Sequence, residues 1–207
     1  MPRLADRFNS DLARAEKALR EPVSKIDQDY AWNVESYNAV LDHARTLIDA
    51  AESNLLVAVW PQEAGALAAN IRSAEERGVS ITTLCLNACA RECGGCQGSI
   101  YRFRLSPEDS GRWLIVALAG KEMLAAAIDK HDQAQGVRTT QQLLVDLAGW
   151  YVRNSVVLAT LVSELGGQLP DLLSPEANSV LASLGPEASS GGWLEHMYEI
   201  VRRSAAE

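Results

Sequence analysis

The sequence lacks any apolar run approaching the roughly 20 residues that a membrane-spanning helix needs. Its longest, Asn54–Trp60 and Trp113–Ala119, stop at seven residues. The opening Met-Pro-Arg-Leu-Ala-Asp-Arg leads straight into a charged helical pattern, without the apolar core of a signal peptide. Together these absences make the cytoplasm the expected compartment, with no membrane partner. A basic excess is missing too: 19 Lys and Arg are outnumbered by 27 Asp and Glu, for a net charge of −8 and a pI near 5.0. A phosphate-binding surface needs clustered cations, so any contact with DNA is expected from another segment or subunit. Histidine is scarce, with only His43, His131 and His196, and none stands in a recognised catalytic spacing. There is no Gly-x-Ser-x-Gly elbow and no Gly-x-x-x-x-Gly-Lys phosphate loop.

What remains is a chain of 207 residues, 47% hydrophobic and 22% charged. That balance suits one substantial core with an appendage. Its four cysteines, Cys85, Cys89, Cys93 and Cys96, all fall within twelve residues. A secreted disulfide scaffold spreads its cysteines to staple distant parts of the chain, so this density points instead to a metal or to thiol chemistry. Thiolates are soft ligands for zinc, copper(I) or iron–sulfur clusters, and Gly94-Gly95 frees the backbone to wrap a centre. Four thiolates on one loop can enclose a zinc ion or an iron–sulfur cluster. Alternatively Cys93-Gly-Gly-Cys96 closes as a disulfide, with Cys85 or Cys89 as exchange partner. The bland alternative is four incidental thiols. Cys89-x-x-x-Cys93-x-x-Cys96 shares the spacing of radical S-adenosylmethionine enzymes, but too few strand–helix units follow for their barrel. A thioredoxin-type pair opens a helix, whereas Cys96 leads into Gln97-Gly98-Ser99 and a strand pattern. A redox or cluster-dependent enzyme is therefore the least supported reading.

Periodicity predicts the elements. Leu4, Phe8, Leu12, Ala15, Leu19, Val23 and Ile26 step by three and four along a helix that Pro22 ends or bends. Residues 36–52 form a second helix, with Val40, Leu41, Ala44, Leu47, Ile48 and Ala51 on one face and Ser36 as N-cap. Asn54–Trp60 is a strand; Pro61 opens a helix over 62–77; Gly78 ends it; Val79–Leu86 is the next strand. That order makes a right-handed βαβ unit with parallel strands, and places the cysteines beyond a strand's carboxyl end, where α/β sheets bind ligands. Further strands are expected at Ser99–Leu105 and Trp113–Ala119, Glu122–Ile128 fits strand or short helix, and Gly136–Thr140 is extended. Residues 141–165 are the longest helix, with Leu144, Leu147, Ala148, Tyr151, Val152, Val156 and Ala159 apolar, and short helices follow in the tail. Arg102 and Arg104 share a strand face and, with Arg138 and Trp60, are candidates for an anionic effector. The plainer readings are a solvated basic edge and a core tryptophan.

Several segments in order carry a resemblance: Trp32-Asn-Val-Glu, Ala44-x-x-Leu47-Ile48-x-x-Ala51, Leu55–Trp60-Pro-x-Glu63, Ala74-x-x-Arg77-Gly78-Val79-x-Ile81, Val137-Arg-Thr-Thr140 and Tyr151-Val-Arg-Asn154. Over roughly residues 1–167 the chain resembles the effector-binding half of TrmB-type transcriptional regulators. The resemblance implies an α/β, phospholipase-D-like mixed sheet flanked by helices. It implies a connecting, dimerising helix over residues 1–29 and a sensor over 30–167, leaving a helical tail over 168–207. The family reads DNA through an N-terminal winged helix, for which there is no room before residue 4; a truncated or stand-alone sensor is expected, acting as a homodimer. The phospholipase-D His-x-Lys pair is absent, since Arg45, Gln133 and Tyr198 follow the histidines at that spacing, so no catalytic residue is assigned. The cysteine loop is foreign to the family's sugar-sensing pattern. The expectation is a regulatory domain that senses a metal, an iron–sulfur cluster or redox state through Cys85, Cys89, Cys93 and Cys96, with a sugar or other small-molecule effector as the alternative.

Overall fold

Ser36 and Pro61 begin the first two helices of the computed structural model, which describes residues 30–87, 94–102 and 111–165, with 168, 172–177 and 179 beyond. The chain divides into two compact units, Met1–Tyr30 and Ala31–Glu207. The predicted stripe from Leu4 to Ile26 lies outside the described residues, as do Cys89, Cys93, Arg104, His196 and nearly all of the predicted tail helices.

The second unit runs β1 (Ala31–Glu35), α1 (Tyr37–Asp49), β2 (Asn54–Val59), α2 (Pro61–Glu76), β3 (Ser80–Cys85), β4 (Ser99–Arg102), β5 (Arg112–Leu118), β6 (Glu122–Ile128), β7 (Ala134–Thr139) and α3 (Gln142–Leu165). The Ser36 side chain accepts from the Ala39 N–H, and Val40, Leu41, Ala44, Leu47 and Ile48 are the buried face of α1. Pro61 sits where its missing N–H costs nothing, and Gly78 takes a φ of 86° after α2.

The seven strands form one mixed sheet in the order β1-β7-β6-β5-β2-β3-β4. β2, β3 and β4 are parallel neighbours, with Val59 beside Cys85 and Cys85 beside Arg102. The pairs from β2 through β5, β6 and β7 to β1 are antiparallel. One face of the sheet carries Leu55, Val57, Val59, Ile81, Leu114, Val116, Leu124 and Ile128 and packs on α1 and α2. The opposite face, with Leu56, Ala58, Trp60, Leu84, Ala117 and Met123, is covered by Val145, Ala148, Val152 and Ala159 of α3. The expected α/β mixed sheet flanked by helices is thus the observed fold.

Two differences have physical causes. β1 is a strand that periodicity did not reveal, because at this sheet edge only Val34 of its five residues is buried. The ambiguous Glu122–Ile128 segment is a strand: its Ala-, Leu- and Met-rich sequence favours helix, but pairing on both sides overrides that preference.

Residues 97 and 98, just before β4, run close against β3. Thr83 Oγ1 donates to the Gln97 carbonyl at 2.8 Å, and Gly98, at φ 73°, lies so close to β3 that a Cβ would overlap the Ile81 carbonyl. Gly98→Ala should therefore destabilise the protein by about 2 kcal/mol or more. Gly65→Ala, in the exposed interior of α2 with open space where the methyl would go, should stabilise it by roughly 0.5–1 kcal/mol. Urea unfolding of the two variants checks the opposite signs.

Candidate functional site

The upper edge of the sheet, as defined here, gathers the carboxyl ends of β1, β2, β3, β4 and β6 and the starts of β5 and β7. Two features meet there on the side of α1 and α2: a buried ion pair and the described part of the cysteine crossover.

Glu63 lies in the first turn of α2 and is fully buried. The helix amino end favours a negative charge at that position. Arg112, the first residue of β5, donates from Nε to Glu63 Oε1 at 3.1 Å. Its Nη2 reaches Asp132 Oδ1 in the β6–β7 turn at 2.5 Å. The Tyr37 hydroxyl, from the first residue of α1, donates to the same Glu63 oxygen at 3.3 Å. Burial, then the neighbouring Glu63 charge, raises the Tyr37 hydroxyl above its ordinary value. Partial burial works against the Arg112 charge, yet the bonds to Asp132 and Glu63 outweigh it and raise this guanidinium too. Glu63 Oε2 is buried with no hydrogen-bond partner among the described residues.

The crossover leaves β3 at Cys85, which is 2% exposed. Alternation along the strand puts Cys85 on the same face as Ile81 and Thr83, the face that packs on α1 and α2. Cys96 packs, half-buried, against that same layer. A Cβ at Gly95 would overlap the Ala64 carbonyl in the first turn of α2, so the returning segment passes against the helix beside Glu63. Two of the four predicted thiols thus belong to one layer. Two thiolates do not complete a four-coordinate site; Cys89 and Cys93, outside the described residues, are the remaining donors of the set. Among the described residues no three His, Cys, Asp or Glu stand together as metal ligands.

Among the described residues, the other predicted positions, Trp60, Arg102 and Arg138, are not brought together. Trp60 is buried on the α3 face, edge-to-face with Trp113 at a centroid distance of 5.9 Å; its Nε1 has no hydrogen-bond partner among the described residues. Arg102 ends β4 at the upper edge and is exposed. Arg138 is on β7, close to the opposite end, where its Nε meets Glu122 Oε1 at 2.7 Å, its Nη1 approaches His43 Nδ1 at 3.4 Å, and it lies 5.7 Å from the Trp32 ring centroid. Five strand spacings separate β7 from β4, about 24 Å, so Arg102 and Arg138 do not form one anion site. The Glu63–Arg112 pair was not foreseen. Its only trace in the sequence is Glu63 two residues after the helix-opening proline, and its partner stands 49 positions away.

Residues 30–92 match the family model for the N-terminal subdomain of the effector-binding domain of the transcriptional regulator TrmB. A curated relative, the uncharacterised protein YrhO of Bacillus subtilis (strain 168), is 20% identical over 119 residues, covering 58% of this chain and 43% of that protein. The chain thus spans less than half of that relative. Among solved structures, TrmBL2, described as an archaeal chromatin protein with a novel mode of DNA binding, is similar at 16% identity and a TM-score of 0.48, over 74% of this chain and 65% of that one. NucT from Helicobacter pylori is 10% identical with a TM-score of 0.49, over 64% and 98% of the two chains. Nuc from Salmonella typhimurium, a phospholipase D family member, is 11% identical with a TM-score of 0.44, over 61% and 91%.

Removing one partner of a buried ion pair strands the other charge. Arg112→Met should cost roughly 3 kcal/mol or more, while Arg112→Met with Glu63→Leu should recover much of that loss. Denaturant unfolding of both single variants and the double variant measures the coupling, and additive losses would mean that the two side chains act independently.

Proposed function

We propose that the chain, which carries a TrmB-type effector-binding domain, receives a chemical signal for a transcriptional regulator, and that the signal arrives at the upper sheet edge through the Cys85–Cys96 crossover. The observation that carries this reading is the packing of the returning segment against the first turn of α2. Cys96 packs on the α1–α2 layer, the side to which strand alternation assigns Cys85, and Gly95 lies against Ala64, next to Glu63. A change at the thiols would therefore act on a helix terminus that is also bonded to α1 and, through Arg112, to β5 and the β6–β7 turn.

Two chemistries fit the donor set. Cys85, Cys89, Cys93 and Cys96 would hold zinc or an iron–sulfur cluster, whose soft acceptor character suits thiolates. Alternatively, two of them would exchange between dithiol and disulfide. In either case the signal must favour one arrangement of the domain over another for regulation to follow. The reading includes a homodimer whose operator contacts come from a winged helix elsewhere, because this acidic chain has no clustered cations. It assigns the chain no enzymatic role. No helix among the described residues is long and apolar enough to cross a membrane.

A second reading rests on a different observation. Glu63 Oε2 is a buried acceptor with no partner among the described residues, beside the Tyr37 hydroxyl, and a small polyhydroxylated effector would satisfy it. The cysteines would then only brace the segment beside that effector.

Protein purified without oxygen should contain about one metal centre per chain, visible by elemental analysis and, for a cluster, by broad visible absorption. The variant with serine at all four cysteine positions should lose both the metal and signal-dependent regulation. Regulation unchanged by that variant would overturn the thiol reading. Sugar binding in calorimetry that survives metal removal would favour the second.

A further inference from the structure

Helix α3 has two apolar sides, and the sheet uses only one. Val145, Ala148, Gly149, Val152 and Ala159 face the core. On the opposite side Leu143, Leu147, Trp150, Val157 and Leu161 are 72%, 51%, 66%, 56% and 47% exposed. Of the 24 residues in α3, only Asp146, Arg153 and Glu164 are charged. A helix apolar nearly all round is ordinarily buried all round, so among the described residues the outer side lacks its cover.

The spacing of that side indicates what covers it. Positions 143, 147, 150, 154, 157 and 161 advance by four, three, four, three and four. This is the a/d alternation of a coiled coil, here with Leu147, Asn154 and Leu161 at a and Leu143, Trp150 and Val157 at d. Val145, Val152 and Ala159 then occupy the f positions, diametrically away from the seam, and these are residues buried on the sheet. The seam runs about 27 Å along the helix at 1.5 Å per residue. With its apolar side chains roughly half to three-quarters exposed, it leaves on the order of 600 Å² uncovered, near the lower bound for one side of a specific interface.

We propose that α3 pairs with α3 of a second copy of this chain as a parallel, in-register, two-stranded coiled coil across a twofold axis. Asn154 decides the occupant and the register. It is the one polar residue in the seam, it is exposed in the protomer, and a single Asn at an a position meets its own equivalent only when identical helices lie parallel and in register. Two strands are the limit because the far side of each helix is already buried on its own sheet. The interface is isologous, as a closed dimer requires. It does not depend on the cysteine crossover, so its failure would leave the proposed signal site standing.

Sedimentation equilibrium of the full chain should show a reversible dimer. Leu147→Glu with Val157→Glu, both at exposed positions, should weaken dimerisation at least 100-fold while leaving the circular dichroism and melting of the protomer intact. Asn154→Cys should give a covalent dimer under mild oxidant, well above the background of the unsubstituted chain. A protein monomeric at every concentration would overturn the proposal, as would a dimer insensitive to the double substitution. A persisting dimer in which Asn154→Cys fails to cross-link would overturn the parallel register. Should the double variant misfold, the cross-link alone decides.

Discussion

A carboxylate shut away from water has to be compensated, and the way Glu63 is compensated organises the upper edge of this protein. Burying an unpaired charge costs several kcal/mol, and the compensation here comes from separate parts of the chain. The amino end of α2 supplies its dipole, Arg112 comes from the start of β5, and Tyr37 from the start of α1. Arg112 in turn reaches Asp132 in the β6–β7 turn. None of these segments can shift far without straining the ion pair. The cysteine crossover rests against the same first turn of α2, which puts the sequence's most unusual chemistry beside its most constrained charge. A domain that converts a local chemical event into a change of shape needs such a junction, because packed interiors switch between arrangements and do not deform smoothly.

The two sides of the sheet divide the work. The side covered by α1 and α2 holds the larger core and the proposed signal site. The other side is closed by one long helix, α3, whose outer surface remains apolar. If that surface joins two copies, the sheet lies between the signal and the dimer axis. Trp60 then occupies an instructive position. It caps the end of β2, the strand that feeds Glu63, yet its ring belongs to the α3 side, packed edge-to-face on Trp113. Packed groups thus run from the end of β2 through the two tryptophans to α3.

Much of this was legible in the sequence where residues carry local instructions. Ser36, Pro61 and Gly78 mark helix boundaries through capping, a fixed φ and a left-handed turn, and their helices lie where expected. The parallel β2–α2–β3 unit followed from element order alone. What escaped depends on distant partners. β1 buries a single side chain and has no alternating pattern to read. Arg112 and Glu63 are individually unremarkable, and only the antiparallel return of β5 alongside β2 brings them together. Arg138 looked available for a ligand but is engaged by Glu122, a pairing set by β6–β7 register. In α3 the apolar residues named from the sequence fall on more than one side, Leu147 among the exposed ones; with so few charges on the helix, the sequence does not separate the stripes.

The most direct test of the central claim is hydrogen–deuterium exchange on the full chain, comparing metal-loaded with chelator-stripped protein and reduced with oxidised protein. If the thiols report to the Glu63 junction, changing their state will alter protection in residues 80–102 and also in the first turn of α2 and the start of β5. Exchange that changes only around the cysteines, or nowhere, would contradict the account and leave the signal to be sought elsewhere in the fold.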